Sequence, residues 1–379
     1  MPEIPTTMRQ LRTLVTEAGT VELSIAEVPT PTAGPGHVLI RVEAAPINPS
    51  DMGLLLAMGD AADLVAGGTA DEPTVTIPLS PGAIAATAAR LGQSMAAGNE
   101  GGGTVVAVGD GVDPSFVGRV VGFFGGESYS QYRAVPAAMC LPMPDGVTAA
   151  QAASCVVNPF TALSMVENMR LDGFTALVHT AAASNLGQML NRICLAEDVP
   201  LVNIVRRPEQ ADLLRAQGAV HVCDSSAPAF AEDLTAALVE TGATLAFDAT
   251  GGGTLAGQIL TCMEAAAVRR SSGGAYSRYG SDVFKQVYIY GGLDRSPTVL
   301  NRTFGFSWSV SGWLLTPFLG RIGAEGMARL GQRVTSEITT TFASHYTDEV
   351  SLAGMLAPDA VRSWARQATG QKYLVRPQG

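Results

Sequence analysis

Residues 175–187 read TALVHTAAASNLG: an apolar run, a series of small side chains, then Gly187 at the opening of a helical stretch. That order of residue types suits a dinucleotide, because small side chains let backbone N–H groups approach a pyrophosphate and a helix N-terminus adds partial positive charge. The loop departs from G-x-G-x-x-G: it offers Ala182, Ser184 and Gly187 at those positions, with Asn185 and Leu186 between the last two. Small residues also simply allow a strand and a helix to pack closely, so the loop needs support from its surroundings. Nineteen residues after Gly187, the run PLVNIV ends in Arg206 and Arg207, where an acidic residue would bind a ribose 2′-hydroxyl. Arginine at that place pairs with a 2′-phosphate, so the cofactor predicted is NADPH rather than NADH; a solvated basic helix start is the alternative. Two more apolar runs end in glycine, LAFDATGGG at 245–253 and QVYIYGGL at 286–293, the second placing Tyr290, Gly291 and Gly292 where a cofactor comes close.

Other reactive residue types are scattered. Five cysteines (Cys140, Cys155, Cys194, Cys223, Cys262) are at least fifteen residues apart, and His37, His179, His221 and His345 have no Cys or acidic partner at metal-ligand spacing. The expectation is reduced, buried thiols and no metal. Asp51 and Glu100 stand in apolar, Gly-rich surroundings; without a zinc ion to support, they read as structural hydrogen-bonding groups rather than as an acid and base. Tyr276, Tyr279 and Tyr290 could donate a proton or stack, and aromatic packing explains them equally well. No residue is assigned as catalytic acid.

These segments need a frame. At 379 residues, with 47% hydrophobic and only 15% charged residues, the chain suits two compact domains and leaves no room for a dominant disordered tract. Its 24 Lys and Arg against 34 Asp and Glu give a net charge of −10, which opposes attraction to nucleic acid or anionic lipid. The start, MPEIPTTMRQLRTLV, lacks the apolar core of a secretion signal and no stretch is continuously apolar, so a cytoplasmic protein without membrane spans is expected. Up to about residue 150 the chain reads as short strands cut by Gly and Pro turns (21–27, 37–44, 102–108, 119–124, 129–135), with a helix over 81–96. From about residue 158, strands at 175–180, 200–206, 220–224, 245–249 and 286–290 alternate with helices such as 186–197 and 209–217, which argues for a parallel, six-stranded doubly wound sheet. Residues 303–320 alternate Phe304, Phe306, Trp308 and Val310 and are read as its sixth strand with one aromatic face; 371–375 reads as a strand of N-terminal texture.

INPSD at 47–51, GNEGGGTVVAVG at 98–109, NPFTA at 158–162, the loop 181–187 and YGG at 290–292 together resemble the medium-chain dehydrogenase/reductase superfamily, in its zinc-free quinone oxidoreductase (zeta-crystallin-like) branch. NPFTA, IYGGL and the paired arginines also resemble the 2-enoyl thioester reductases of that superfamily. The resemblance implies an α/β protein: a GroES-like β-barrel catalytic domain from residues 1–153 and 335–379, and a doubly wound Rossmann domain from 154–334, with the active cleft between them. It implies that Asn48 and Thr161 face the nicotinamide and ribose, although a turn Asn before Pro49 and a helix-start Thr after Pro159 explain the same residues. The strand 304–310 suggests a homodimer formed by joining two Rossmann sheets, as in relatives.

Several departures are informative. The zinc alcohol dehydrogenases of the superfamily carry a Cys near the INPSD position and a His where Asn99 stands. Enoyl thioester reductases place a Tyr shortly after INPSD, where this chain reads MGLLLAMGDAADLVAGG. Quinone reductases have glycines where Ser184 and Asn185 stand. Residues 60–97 are longer and richer in Ala and Pro than the matching connection in relatives. The expected activity is hydride transfer from NADPH to a quinone or an α,β-unsaturated carbonyl compound. The alternatives are an enoyl thioester (CoA or acyl-carrier) reductase, for which Arg269, Arg270, Arg278, Lys285, Arg295 and Arg302 within 264–302 offer a basic surface, and a non-catalytic NADPH-binding or crystallin-like structural protein.

Overall fold

The computed structural model describes residues 3–271 and 277–379, and Tyr276 lies outside them. It divides into two compact units, Met1–Val157 with Gly331–Gly379, and Asn158–Leu330.

The first unit is built from β strands whose alternate residues point inward. In Thr7–Val15 the inward set is Leu11, Thr13 and Val15; in His37–Pro46 it is Val38, Ile40, Val42 and Ala44. One antiparallel sheet runs in the order Val65–Gly68, Pro73–Pro78, Thr20–Pro29, Thr7–Val15, Ser94–Ala96. Residues 60–97 therefore supply three of its strands. A second sheet is ordered Cys140–Pro142, Val120–Phe124, Glu100–Val108, His37–Pro46, Tyr373–Arg376, Asp348–Ser351, with Tyr132–Pro136 also paired to His37–Pro46. Leu374 opposes Pro46 and Val375 opposes Ala45, so the C-terminal strand completes a sheet begun by the N-terminal part of the chain. The glycines of GNEGGG have a packing reason: a Cβ on Gly102 would lie 2.2 Å from the Ala149 carbonyl oxygen, so only glycine lets the helix Ala149–Ala152 lie on this strand.

The helix expected over 81–96 stops early. It spans Pro81–Ala86, capped by Ser80 Oγ accepting from Ala83 N (3.2 Å), and is followed by a turn at Ala88–Arg90 and the strand Ser94–Ala96. Thr87 Oγ1 donates back to the Ala83 carbonyl (2.7 Å), Gly92 has φ 70°, and Arg90 reaches back to the Gly53 carbonyl and Thr13 Oγ1. Tertiary pairing with Thr7–Val15 overrides the Ala-rich propensity.

The second unit carries a fully parallel sheet in the order His221–Asp224, Leu201–Val205, Leu177–His179, Leu245–Asp248, Lys285–Ile289, Trp308–Gly312. Counted along the chain this is 3-2-1-4-5-6, the doubly wound order, with its switch point between Leu177–His179 and Leu245–Asp248. Val178, Val202, Ile204, Ala246 and Val287 pack against Leu234, Leu238, Ile259, Leu260 and Met263. The aromatic strand expected over 303–320 is shorter than predicted: only Trp308–Gly312 pairs, and Gly305 (φ 69°) breaks the two-residue period. Phe304 is buried edge-on to Trp308 (centroids 4.9 Å), whereas Phe306 is turned outward and is 79% exposed.

Candidate functional site

The loop singled out in the sequence lies at the switch point. Leu177–His179 runs into Thr180–Ser184, and the helix Asn185–Ala196 begins with Ser184 Oγ accepting from Gly187 N (3.2 Å). Gly187 is required where it stands, because a Cβ there would lie 2.2 Å from the Ala182 carbonyl oxygen. Ala181 is held at φ 51°, a left-handed conformation that costs an L residue about 1 kcal/mol or more. Thr180 ties the loop to the neighbouring strand: its Oγ1 donates to Asp248 Oδ1 (2.7 Å) and accepts from Ala249 N (2.8 Å). Asp248 in turn accepts from Thr250 N (2.9 Å) and Gly251 N (3.1 Å). Ala182, Ser184, Asn185, Leu186 and Gly187 thus form a tight strand-to-helix turn, with Ala182 and Gly187 buried and Ser184, Asn185 and Leu186 half-buried, whose glycine and helix N-terminus could hold a dinucleotide pyrophosphate.

Arg206 and Arg207 follow Leu201–Val205 and are exposed. Arg206 N donates to Gln210 Oε1 (3.1 Å), and Arg207 stands just before the helix Pro208–Ala216, without a side-chain capping hydrogen bond, and pairs loosely with Glu209 (3.9 Å). Nothing in the sequence pointed to Asp294: hydrogen bonds from Ser296 hold its carboxyl below the usual range, with a smaller contribution from Arg206. Its strand, Asp294–Thr298, pairs in parallel with Gly251–Gly253.

Tyr290, Gly291 and Gly292 leave the carboxyl end of Lys285–Ile289 and line a cavity of about 700 Å³ with Trp313, Phe318 and Arg321. Its wall is braced by Trp313 Nε1 donating to Asn168 Oδ1 (2.9 Å) and by Arg321 paired with Asp172 (2.8 Å). Tyr290 is hydrogen-bonded to His179, Nε2 to hydroxyl 2.7 Å. Burial lowers the His179 pKa to about 3 and raises that of Tyr290, so the pair is neutral. Thr161 is buried on the helix Val157–Leu171. Tyr279 lies at the surface against Phe306 and Arg278. Lys285, counted in the sequence with a basic surface, is fully buried and paired with Glu264 at 2.5 Å, so it adds nothing to such a surface.

In the first unit Asn48 caps the turn Pro49–Asp51; its N donates to Asp51 Oδ2 (2.8 Å) and its Nδ2 to Glu100 Oε1 (2.9 Å). Asp51 Oδ2 also accepts from the Tyr129 hydroxyl (3.0 Å), and burial pushes its carboxyl up to about 7. Lys372, which the sequence gave no reason to single out, is buried in the same unit, and its charge is felt by Glu100. The five cysteines are free thiols. Among the described residues no three His, Cys, Asp or Glu side chains are grouped to hold a metal, and no helix is long and apolar enough to cross a membrane.

Comparison with known proteins agrees with this architecture. Residues 34–145 match the alcohol dehydrogenase GroES-like domain. Over 99% of this chain and 100% of the other, the structure superposes with a TM-score of 0.72 and 27% identity on a protein of Mesorhizobium loti provisionally assigned as an NADPH:quinone reductase. A mycobacterial protein solved in complex with NADPH shares the fold at a TM-score of 0.66 and 21% identity, over 98% of this chain and 100% of that one. The synaptic vesicle membrane protein VAT-1 homolog of Rattus norvegicus is 27% identical over 54% of this chain; the match spans 44% of that protein, less than half its length. The GroES-like domain match, the doubly wound parallel sheet and the whole-length likeness support the resemblance to the medium-chain dehydrogenase/reductase superfamily.

Proposed function

We propose that this oxidoreductase uses NADPH, without a metal, to reduce quinones or small α,β-unsaturated carbonyl compounds. The observation that carries the proposal is the switch-point turn with Gly187 closed on Ala182, followed by Arg206 and Arg207 at the end of the next strand. First-turn N–H groups of the helix Asn185–Ala196 would hold the pyrophosphate, and the two arginines the 2′-phosphate. Tyr290, Gly291 and Gly292 supply a close-approach wall, and Asn48 and Thr161 are assigned to the nicotinamide and its ribose. When bound, the cofactor supplies hydride. The chain's own work is then to orient, to exclude water and to leave the proton to solvent, which suits a quinone: hydride plus one proton give the hydroquinone.

The edge strand Trp308–Gly312 has one paired neighbour among the described strands, and we propose that it joins a second copy to form a homodimer. Light scattering that shows only monomer at micromolar concentration rejects this. The acceptor is tested by a steady-state screen of NADPH oxidation against quinones, enals, enones and enoyl thioesters. Turnover with the first three classes supports the proposal. Turnover confined to enoyl thioesters favours the thioester reductase reading, and binding without turnover favours a non-catalytic role.

A further inference from the structure

The first unit buries a charged network that the proposed hydride transfer leaves without a task. Glu100, fully buried at the start of Glu100–Val108, accepts three N–H groups: Oε2 takes Val156 N (2.9 Å) and Val157 N (2.8 Å), and Oε1 takes Asn48 Nδ2 (2.9 Å). The other end of the same carboxamide, Asn48 Oδ1, is buried with no hydrogen-bond partner among the described residues, and so is the Lys372 ammonium, which lies 5.8 Å from the centre of the Tyr346 ring. An orphaned buried acceptor is costly until a donor reaches it.

A carboxamide offers a donor on one side and an acceptor on the other. Because Oε2 of Glu100 is committed to two backbone N–H groups, a proton taken up by Glu100 must sit on Oε1. There it would donate to Asn48, which can receive it only through oxygen. The charge on Glu100 therefore decides which end of Asn48 is left over: the acceptor Oδ1 when Glu100 is ionised, the donor Nδ2 when it is protonated.

We propose that Lys372 and Glu100 are positioning residues for the cofactor, Lys372 keeping Glu100 ionised and ionised Glu100 holding Asn48 so that its Oδ1 is the acceptor offered to an N–H or O–H of the nicotinamide or its ribose. The inference rests on the NADPH assignment above. The groups facing Glu100 are Asn48, Asp51, Tyr129, Cys155, Tyr346 and Lys372, and of these Lys372 alone is cationic. Burial raises the Glu100 pKa, and the Lys372 charge is foremost among the influences that pull it back. Burial lowers Lys372 to about 8, against the pull of Glu100 and Asp51. Removing the Lys372 charge thus moves Glu100 ionisation to higher pH.

The test is the dissociation constant of NADPH on the full chain, followed by fluorescence from about pH 5.5 to 9.5, with the wild type alongside to account for titration of the cofactor's own phosphate. Lys372→Met should move the acid-side loss of binding up by at least about one pH unit, which is roughly tenfold weaker binding at a fixed pH on that limb, with recovery as the pH is raised further. Lys372→Arg should restore the wild-type profile. Glu100→Gln must keep its oxygen toward Val156 and Val157, so its NH₂ faces Asn48; it should bind weakly at every pH. Thermal unfolding checks that each variant folds, and if Lys372→Met does not, Lys372→Arg and Glu100→Gln still decide. A Lys372→Met profile weakened equally at all pH values, or Glu100→Gln binding as tightly as wild type, overturns the inference while leaving the NADPH assignment standing. Failure of the wild type to bind NADPH at any pH overturns both.

Discussion

His179 Nε2 and the Tyr290 hydroxyl, 2.7 Å apart, join the tips of two strands that are separated in the sheet by Leu245–Asp248. The other ring nitrogen, Nδ1, has no partner among the described residues. Tyr290→Phe would leave the buried imidazole without a hydrogen bond at either nitrogen, at a cost of about 1–3 kcal/mol in chemical denaturation. The pH dependence has a definite sign. Burial depresses the folded-state pKa of His179 from 6.5 to about 3, so below about 6.5 the unfolded chain takes up a proton that the folded chain refuses. This contribution is complete above pH 6.5 and is lost toward pH 3, at up to about 1.4 kcal/mol per pH unit. A His179→Gln variant should show a shallower acid limb; an unchanged limb would remove His179 as its cause.

Gly187→Ala tests the turn itself. With the new methyl 2.2 Å from the Ala182 carbonyl oxygen, the loop or the helix start must shift. The expected loss is about 1–3 kcal/mol of stability, together with at least tenfold weaker NADPH binding. Wild-type affinity in a folded variant would separate this turn from the cofactor.

Arg206→Ala with Arg207→Ala should raise the NADPH dissociation constant by roughly tenfold or more and leave that for NADH nearly unchanged, since charge-assisted hydrogen bonds contribute about 1.5–3 kcal/mol each before screening at an exposed site. Asp294, whose carboxylate feels Arg206, opposes a bound phosphate. Asp294→Asn should tighten NADPH a few-fold. Equal losses for both cofactors in the double variant would refute the phosphate assignment.

Protein prepared without added metal should contain no stoichiometric zinc, and its activity should survive a chelator. The grounds are the separation of its Cys and His residues and, among the described residues, the lack of any three-ligand group. Stoichiometric zinc by elemental analysis, with activity lost on chelation, would reverse the assignment.

What could be read in advance was whatever depends on local pattern. The strand-turn-helix at 175–187 and the strand that leads to Arg206 stand out because small residues, glycine and apolar runs leave a short-range signature. The helix end after Ala86 and the turned-out Phe306 were misjudged because distant partners set them: the pairing of Ser94–Ala96 with Thr7–Val15, and the left-handed Gly305 packed against Gly280. Glu100 and Asp51 were legible as buried hydrogen-bonding groups. Lys372 was not, since the acidic groups that give it meaning lie more than 270 residues away in the chain. A lone lysine just before a short strand carries no pattern of its own.

The acceptor ranking rests on the segment after INPSD. Enoyl thioester reductases of the superfamily place a tyrosine there; here Met52–Leu55 is a short helix, Leu55 and Leu56 are buried in the core of the first unit, and Met58 is 55% exposed at φ 69°. The leucines at 55 and 56 are packing residues, so no phenol or other polar donor is supplied from these positions. A quinone that has received hydride takes its proton from water with little penalty, whereas an enoyl thioester needs a carbon protonated and gains more from a placed donor. NADPH turnover should therefore be faster with simple quinones or small enones than with enoyl-CoA. Introducing Tyr at the exposed position, Met58→Tyr, should leave quinone turnover within about twofold, because an exposed substitution away from the core rarely costs more than about 0.5 kcal/mol. A kcat/KM for enoyl-CoA well above every quinone and small enone tested would invert the ranking and require another side chain to act in place of the missing tyrosine.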